Sequence, residues 1–179
     1  MTDAVEAFLT ANAFTRIPYR VYTDPDLYGA EQRGLFRGPV WSFVGLELEV
    51  PKTGDYKTNF IGDTPVVMVR ADDGINVLVN RCAHRGNLVC FKNSGNAQHM
   101  ACVYHNWTYG LDGKLQGVPF RRGVAGKGGM PEDFNPADHA MPRLRAERYC
   151  GLVFATFSEN APPLSQYLGA TMRENIERV

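Results

Sequence analysis

The chain has 179 residues and a mass of 19.9 kDa, and nineteen basic and nineteen acidic residues give it a formal net charge of zero. This length suits one ordinary domain, and 44% hydrophobic with 21% charged residues excludes a disordered, collagen-like or coiled-coil chain. The neutral charge, without any run of like charges, argues against nucleic acid or an anionic membrane as a partner. No segment reaches the roughly 18 apolar residues that a membrane span needs, so we expect a cytoplasmic protein.

The N-terminal part of the chain predicts two short helices. Residues 1–12 place three apolar side chains on one side of a helix. A second helix is expected from Pro25 to Arg33 or Gly34, because Asp24 is a favourable N-cap and proline is favoured at the first helical position.

Strand signals dominate the middle of the chain. Eighteen glycines and eleven prolines are spread along it and favour short strands joined by turns. The predicted strands cover residues 40–44, 46–50, 56–61, 65–70, 75–80, the two arms of a hairpin at 109–116, and 149–157. Residues 119–141 predict a long surface loop, and residues 164–179 predict a closing helix. The fold class is therefore all-β.

Two pairs of cysteine and histidine carry the chemical information. Cys82-Ala83-His84 and Cys102-Val103-Tyr104-His105 each offer one thiolate and one imidazole from a loop that follows a strand. Two Cys and two His suit zinc, although zinc fingers usually pair cysteine with cysteine and histidine with histidine. The mixed pairs also suit a two-iron cluster in which one iron takes both thiolates and the other takes both imidazoles.

Longer motifs surround these residues. They are Arg81-Cys82-Ala83-His84-Arg85-Gly86, Cys102-Val103-Tyr104-His105-Asn106-Trp107-Thr108-Tyr109 and Asp112-Gly113-Lys114-Leu115. With them the chain resembles Rieske proteins, and in particular the large (alpha) subunits of bacterial aromatic ring-hydroxylating dioxygenases and related oxygenases. One position departs from the family pattern, because Asn106 stands where the family commonly has glycine. Asparagine tolerates a positive φ, so we expect the loop conformation to survive.

The resemblance implies a Rieske-type antiparallel β-sandwich with a small cluster-binding subdomain, a short N-terminal helical arm and a C-terminal linker helix. It divides the chain into an arm over residues 1–38, a Rieske [2Fe-2S] domain over residues 39–160 and a linker helix over residues 161–179.

The resemblance also implies the ligand set of the cluster. Cys82 and Cys102 would hold the inner iron, and His84 and His105 would hold the outer iron. High-potential Rieske proteins carry extra cysteines and a serine near the cluster, and these are missing here. We therefore expect a reduction potential at the low end of the range for histidine-ligated clusters, roughly −150 to +300 mV.

The resemblance implies electron transfer in the terminal oxygenase component of an aromatic ring-hydroxylating system. Electrons would pass from a ferredoxin or flavin reductase to a mononuclear non-haem Fe(II), for hydroxylation of arenes or arene carboxylates, with salicylate- or benzoate-type substrates favoured. The full-length subunit would form a homotrimer, or a hetero-oligomer with a small subunit.

We expect the mononuclear iron site to lie outside this chain. The remaining histidines, His99 and His139, lack the spacing to each other and to a carboxylate that such a site shows. The chain is therefore expected to be truncated near Val179, to contain no catalytic residue and to hydroxylate nothing alone. Both histidines are expected to be surface or hydrogen-bonded residues.

Two alternative functions remain open at this point. A free-standing Rieske ferredoxin carrier would not need the segment before Pro39, and a structural zinc module would need no redox chemistry.

Other side chains near the motifs receive less specific predictions. Cys90 and Cys150 are expected to be reduced thiols in or near the core. Tyr104 and Trp107 are expected to shield the cluster, and Arg85 is expected either to face a redox partner or to brace its loop.

Overall fold

The computed structural model describes residues 19–178, so the helix predicted over residues 1–12 lies outside the described residues. Within the described range the strands are β1 Ser42–Leu46, β2 Asp55–Ile61, β3 Thr64–Ala71, β4 Gly74–Val79, β5 Ser94–Asn96, β6 Met100–Ala101, β7 Thr108–Tyr109, β8 Leu115–Gly117, β9 Arg143–Tyr149 and β10 Leu152–Thr156. No helix in residues 19–178 has the length and apolar character needed to cross a membrane.

A short helix precedes the first strand. Helix α1 covers Pro25–Glu31, and the Asp24 carboxylate accepts hydrogen bonds from the backbone N–H groups of Asp26 and Leu27 at 3.0 and 3.2 Å. The predicted cap and proline start are therefore confirmed. A π-helical turn over Gln32–Phe36 extends the helical path slightly beyond the predicted end.

The strands form two antiparallel sheets. The larger sheet has the order β1-β10-β9-β4-β3-β2-β5, and the smaller one has the order β6-β7-β8. Because β1 pairs with β10, the chain enters and leaves the larger sheet side by side. The predicted all-β architecture is confirmed.

Strand β3 is buried on both faces and separates two cores. The sheet core consists of Val44, Val50, Ile61, Val66, Met68, Val77, Leu144, Val153 and Ala155. The site core consists of Val67, Val69, Leu78, Cys82, Val89, Cys90, Met100, Cys102, Trp107, Tyr109, Leu115 and Met141. Successive β3 side chains alternate between the two cores, as the period of two in a strand requires. The cysteines of both motifs thus belong to the core beside the smaller sheet.

One predicted strand is wrong. Residues 46–50 alternate like a strand, but Glu47–Glu49 form a 3₁₀ turn and Leu48 is 83% exposed. The Glu49 carboxylate accepts the backbone N–H of Leu46 at 2.8 Å, which closes the turn on itself. The Glu47 carboxylate pairs with Arg70 at 2.9 Å, so this segment is held by side chains instead of a strand ladder.

The strand predicted over residues 149–157 corresponds to β10, and its first three residues belong to the end of β9 and to the turn that follows it. Residues Cys150 and Gly151, with φ of 45° and 79°, turn the chain between β9 and β10. β9 escaped prediction because charged side chains dominate it. In the structure Arg145 and Glu147, which share one face of the strand, form an ion pair at 2.7 Å, while Leu144 is buried in the sheet core.

The C-terminal helix starts where predicted. Helix α2 covers Leu164–Ile176 and is interrupted at Gly169, whose φ of 69° and ψ of 172° are not helical. Its first backbone N–H, at Leu164, donates to the Glu147 carboxylate at 3.0 Å. The indole of Trp41 donates to the Pro162 carbonyl at 2.8 Å, so the start of this helix is fixed to the larger sheet.

Candidate metal centre

Two loops bring the predicted ligands together. The first loop follows β4 and carries Cys82 and His84, and the second follows β6 and carries Cys102 and His105. The thiols of Cys82 and Cys102 are within hydrogen-bonding reach of each other. The rings of His84 and His105 meet edge to face with their centroids 4.7 Å apart. The fold therefore forms one pair of thiols and one pair of imidazoles.

The two loops share one backbone hydrogen-bond pattern. The cysteine carbonyl accepts the N–H of the fourth residue after it, at 2.8 Å from Gly86 to Cys82 and at 2.8 Å from Asn106 to Cys102. The cysteine N–H donates to the carbonyl of the fifth residue after it, at 2.8 and 2.9 Å. The loops differ in the position of the histidine, which is the second residue after Cys82 and the third residue after Cys102.

Each loop needs a left-handed residue at its fourth position. Gly86 has a φ of 73° and Asn106 has a φ of 54°. Such values strain most side chains, whereas glycine and asparagine accept them. The expectation that asparagine preserves the loop is confirmed.

Burial differs sharply between the two ligand types. Cys82 and Cys102 are 3% and 2% exposed, whereas His84 and His105 are exposed. Within residues 19–178 no three side chains of the His, Cys, Asp and Glu types are placed to bind a single metal ion together. A zinc site needs about four donors around one ion, and the two unlike pairs fit a centre with two irons better.

Cys102 is surrounded by hydrogen-bond donors. Burial raises the pKa of its thiol, but the backbone N–H groups of Tyr104 and His105 and the side chains of Cys82 and Asn87 outweigh this effect, so the pKa is lowered. The Asn87 amide, which belongs to the first loop, reaches the Cys102 sulfur at 3.8 Å. These donors favour the thiolate, the form that binds metals.

Cys82 receives its partner from β7. The Tyr109 hydroxyl lies 3.1 Å from the Cys82 sulfur and accepts the backbone N–H of Ala83 at 3.0 Å. Because the hydroxyl oxygen already accepts this bond, its own hydrogen is available to the sulfur. Tyr109 is fully buried, and burial raises its pKa, so it remains a neutral donor.

The imidazole side of the site is more open. Burial, the nearby His105 and the Arg85 guanidinium lower the pKa of His84, which favours the neutral imidazole that a metal binds. The His84 ring stacks on the indole of Trp107, with centroids 4.8 Å apart and planes 12° apart. Tyr104 contacts His105 at a centroid distance of 4.0 Å.

The structure corrects one further expectation. Cys150 is exposed and lies in the turn between β9 and β10, although it was expected in or near the core. Arg81 braces the first loop, because its guanidinium donates to the Gly86 carbonyl at 3.1 Å, whereas Arg85 is exposed and its expected role stays a prediction. Cys90 is buried as expected, and burial raises the pKa of its thiol to about 11.

Several residues of the site were missed by the sequence reasoning. They are Asn80, Asn87, Tyr109, Phe134 and His139. Asn80 is buried and its amide binds the backbone of Val89 and Cys90 with three hydrogen bonds of 2.8 to 3.2 Å. Tyr109 could have been found, because it lies within the quoted second motif and pairs a buried ring with a polar atom. Nothing local in the sequence marks Phe134 or His139.

The comparison with known families decides what the two loops belong to. Residues 40–127, which include both loops, match the family described as the Rieske [2Fe-2S] domain. These residues form a Rieske domain. The predicted resemblance to Rieske proteins is thereby confirmed, and the zinc alternative receives no support. The relatives described next give no support to the carrier alternative.

Relatives with known names match almost the whole chain. The large subunit of anthranilate 1,2-dioxygenase from Burkholderia cepacia is 51% identical over 178 residues, which are 99% of this chain and 42% of that subunit. The terephthalate 1,2-dioxygenase terminal oxygenase component subunit alpha 2 from Comamonas sp is 47% identical over 92% of this chain and 40% of its own length. The Rieske chain thus spans about two fifths of the length of these relatives.

Solved structures share the fold. Naphthalene 1,2-dioxygenase with bound indole matches with a TM-score of 0.76 and 33% identity over 84% of this chain and 33% of that chain. The quaternary ammonium Rieske monooxygenase CntA matches with a TM-score of 0.75 and 29% identity over 90% of this chain and 43% of that chain. The Rieske domain described here is therefore of the type found in aromatic ring-hydroxylating oxygenases.

Proposed function

We propose that this Rieske domain transfers electrons within the terminal oxygenase component of an aromatic ring-hydroxylating system. In this proposal Cys82 and Cys102 hold one iron of a [2Fe-2S] cluster, and His84 and His105 hold the other. The observation that carries the proposal is the separation of the four side chains into a buried thiol pair and an exposed imidazole pair.

A bound Rieske cluster supplies reversible one-electron reduction. The chain's own residues set the conditions for it. Tyr109 and Asn87 donate hydrogen bonds to the two cysteine sulfurs, and the site core keeps water away from them. Trp107, which stands in the region where high-potential Rieske proteins have a serine, is a ring against His84 and adds no hydroxyl donor. We therefore keep the expectation of a potential at the low end of the Rieske range.

We extend this proposal to a complete protein of the length of the relatives. Residues 1–38 form the arm, residues 39–160 the cluster domain and residues 161–179 the linker to a further domain with a mononuclear Fe(II). A ferredoxin or flavin reductase supplies the electrons, and the complete subunit assembles as a homotrimer or with a small subunit. The cysteines are unpaired, which suits a reducing cytoplasm.

The names of the relatives suggest the class of substrate. Relatives at 51%, 47% and 46% identity are named for anthranilate, terephthalate and salicylate, which are aromatic carboxylates. Relatives named for biphenyl and benzene are 39% to 41% identical. We therefore propose an arene carboxylate of the salicylate or benzoate type as the substrate of the complete enzyme.

Metal and sulfide analysis tests the central proposal. The purified chain should contain two irons and two acid-labile sulfides, and dithionite reduction should give the electron paramagnetic resonance signal of a histidine-ligated [2Fe-2S] cluster. Cys82→Ser and Cys102→Ser should abolish the cluster, whereas His99→Ala, at an exposed histidine, should leave the visible spectrum unchanged. A colourless protein that holds one zinc would contradict the proposal.

A further inference from the structure

Three aromatic rings form a cluster beside the proposed ligand His84. We call Trp107, Phe134 and His139 the aromatic collar. Trp107 is 4% exposed and lies nearly parallel to the His84 ring. The Phe134 ring meets the indole edge to face at 5.8 Å, and the His139 ring contacts it at 5.7 Å. Phe134 and His139 also stack on each other, with centroids 4.6 Å apart.

The segment that supplies Phe134 and His139 is anchored to the domain. The Arg121 guanidinium lies 5.5 Å from the centroid of the Phe134 ring and donates to the Phe134 carbonyl at 3.3 Å. The Asn135 side chain accepts the backbone N–H of Ala137 at 3.2 Å and caps the 3₁₀ turn that ends at His139. Phe134 packs against the same site core as both ligand cysteines. The predicted loop at residues 119–141 therefore covers part of the site.

The contacts give the collar a defined physical role. The His84 side chain is exposed, so few contacts orient its ring: it stacks on the flat surface of Trp107 and meets the His105 ring edge to face. The indole in turn is held by two further rings, because Phe134 and His139 both contact it. Removing either ring leaves Trp107 freer to move and opens a route for water to the buried sulfurs.

We propose that Phe134 and His139 are positioning residues, which act through Trp107 to hold the His84 ring in its ligand orientation and to keep water from this side of the cluster. The inference rests on the proposed function, since it requires His84 to bind iron. It assigns His139 a place beside the site and no part in coordination.

Charge arithmetic gives the direction of the expected effect. A [2Fe-2S] cluster with two thiolates and two neutral imidazoles has a net charge of zero when both irons are ferric, and it becomes negative when it gains one electron. Water stabilises the charged form more than the neutral form. Loss of a collar ring should therefore move the potential to a more positive value and release iron to a chelator faster.

The test compares truncated and ring-preserving variants of the reconstituted chain. Phe134→Ala and His139→Ala should each bleach about fivefold faster with chelator, the change that corresponds to one aromatic contact. Both should raise the midpoint potential and alter the g-values of the reduced cluster. Phe134→Tyr and His139→Phe, which keep a ring, should behave like the original chain. Phe120→Ala on the same segment, where the ring is 74% exposed, and His99→Ala serve as matched controls.

Defined results overturn the inference. The inference is wrong if both alanine variants keep the original midpoint potential, g-values and bleaching rate. It is also wrong if Phe134→Tyr and His139→Phe change these quantities as much as the alanine variants do. Circular dichroism verifies folding, and Phe134→Leu, which keeps apolar volume without a ring, replaces an alanine variant that does not fold. A Leu variant that matches the original chain would also overturn it. If the original chain binds no iron and sulfide, the proposed function itself is wrong. If the original chain has a normal cluster and the variants do not alter it, only the positioning role of the aromatic collar is wrong.

Discussion

The Tyr109 hydroxyl is the single side-chain hydroxyl bonded to a proposed ligand sulfur among the described residues. Tyr109→Phe removes the donor to Cys82 while keeping the buried ring. A hydrogen bond of about 1 kcal/mol that favours the reduced state corresponds to about 40 mV, so we expect the potential to fall by about this amount. A redox titration followed in the visible spectrum measures it.

Tyr167→Phe provides the control for this prediction. Tyr167 lies in α2, is 43% exposed and is remote in sequence from both loops. Its variant should keep the original potential. An equal potential in Tyr109→Phe would show that the hydroxyl does not tune the cluster.

The buried thiol of Cys90 should lower the free energy of unfolding at alkaline pH. Burial raises the pKa of its thiol from about 9, the value expected in the unfolded chain, to about 11 in the folded chain. Between these values the unfolded state releases a proton that the folded state keeps, so the free energy of unfolding falls as the pH rises from 9 to 11. The contribution is full below pH 9 and declines by up to about 1.4 kcal/mol per pH unit above it.

Urea unfolding of the original chain and of Cys90→Ala at several pH values measures this contribution. Other groups also titrate in this range, so the difference between the two proteins is the relevant quantity. The difference should shrink as the pH rises from 9 to 11. A constant difference would contradict the assignment of a raised pKa to Cys90.

The conformation of each loop that carries the proposed ligands requires one residue with a positive φ. Asn106 has a φ of 54°, a conformation that β-branched side chains strongly resist. We expect Asn106→Val to destabilise the domain by about 1 to 2 kcal/mol, whereas Asn106→Gly should be nearly neutral. Chemical denaturation compares the two, and equal stability of the valine and glycine variants would contradict the argument from φ.

The segment after β4 is held by one buried amide. Asn80 donates to the Cys90 carbonyl at 2.8 Å and accepts the N–H groups of Val89 and Cys90. Asn80→Ala leaves these backbone groups without their partner, so a loss of about 2 to 3 kcal/mol in unfolding free energy is expected. Asn93→Ala, at an exposed position, should change it by less than about 0.5 kcal/mol. A small effect of Asn80→Ala would show that water replaces the amide.

Sequence reasoning succeeded where the signal is local. The cap of α1 follows from three consecutive residues, and short spacings around Cys82 and Cys102 were enough to select four side chains that the structure brings together. It failed where distant chain segments decide the outcome. β9 exists because it pairs with β10 and with the distant β4, and Phe134 reaches Trp107 from a segment with little regular structure that would have fixed its register.

Strand β3 separates two cores of the domain, and we expect each core to contribute its own share of the stability. The sheet core joins β1, β2, β3, β4, β9 and β10, whereas the site core contains both proposed ligand cysteines. A metal that binds only the folded state adds its binding free energy to the stability of the part that holds it. Removal of the cluster should therefore loosen the site core first.

Hydrogen exchange of the chain with and without iron tests this division. Amide protection should fall across residues 81–118 on iron removal, while β1 and β10 stay protected, and the thermal midpoint should drop by on the order of 10 °C. Restoring iron and sulfide should restore both. A uniform loss of protection across both cores would show that they unfold as one unit.

The unequal burial of the four proposed ligands also means that, within residues 19–178, the site can be reached from the surface only on its histidine side. Both thiols lie at 2% to 3% exposure behind the imidazoles, and both imidazoles lie at the surface. With the proposed ligand set, a protein that approaches the domain would come nearest to the iron that His84 and His105 would hold. Because electron transfer weakens steeply with distance, both the arrival and the departure of an electron are restricted to one small face. The proposed electron donor and the proposed electron acceptor would then both have to reach the side of the domain that carries His84 and His105.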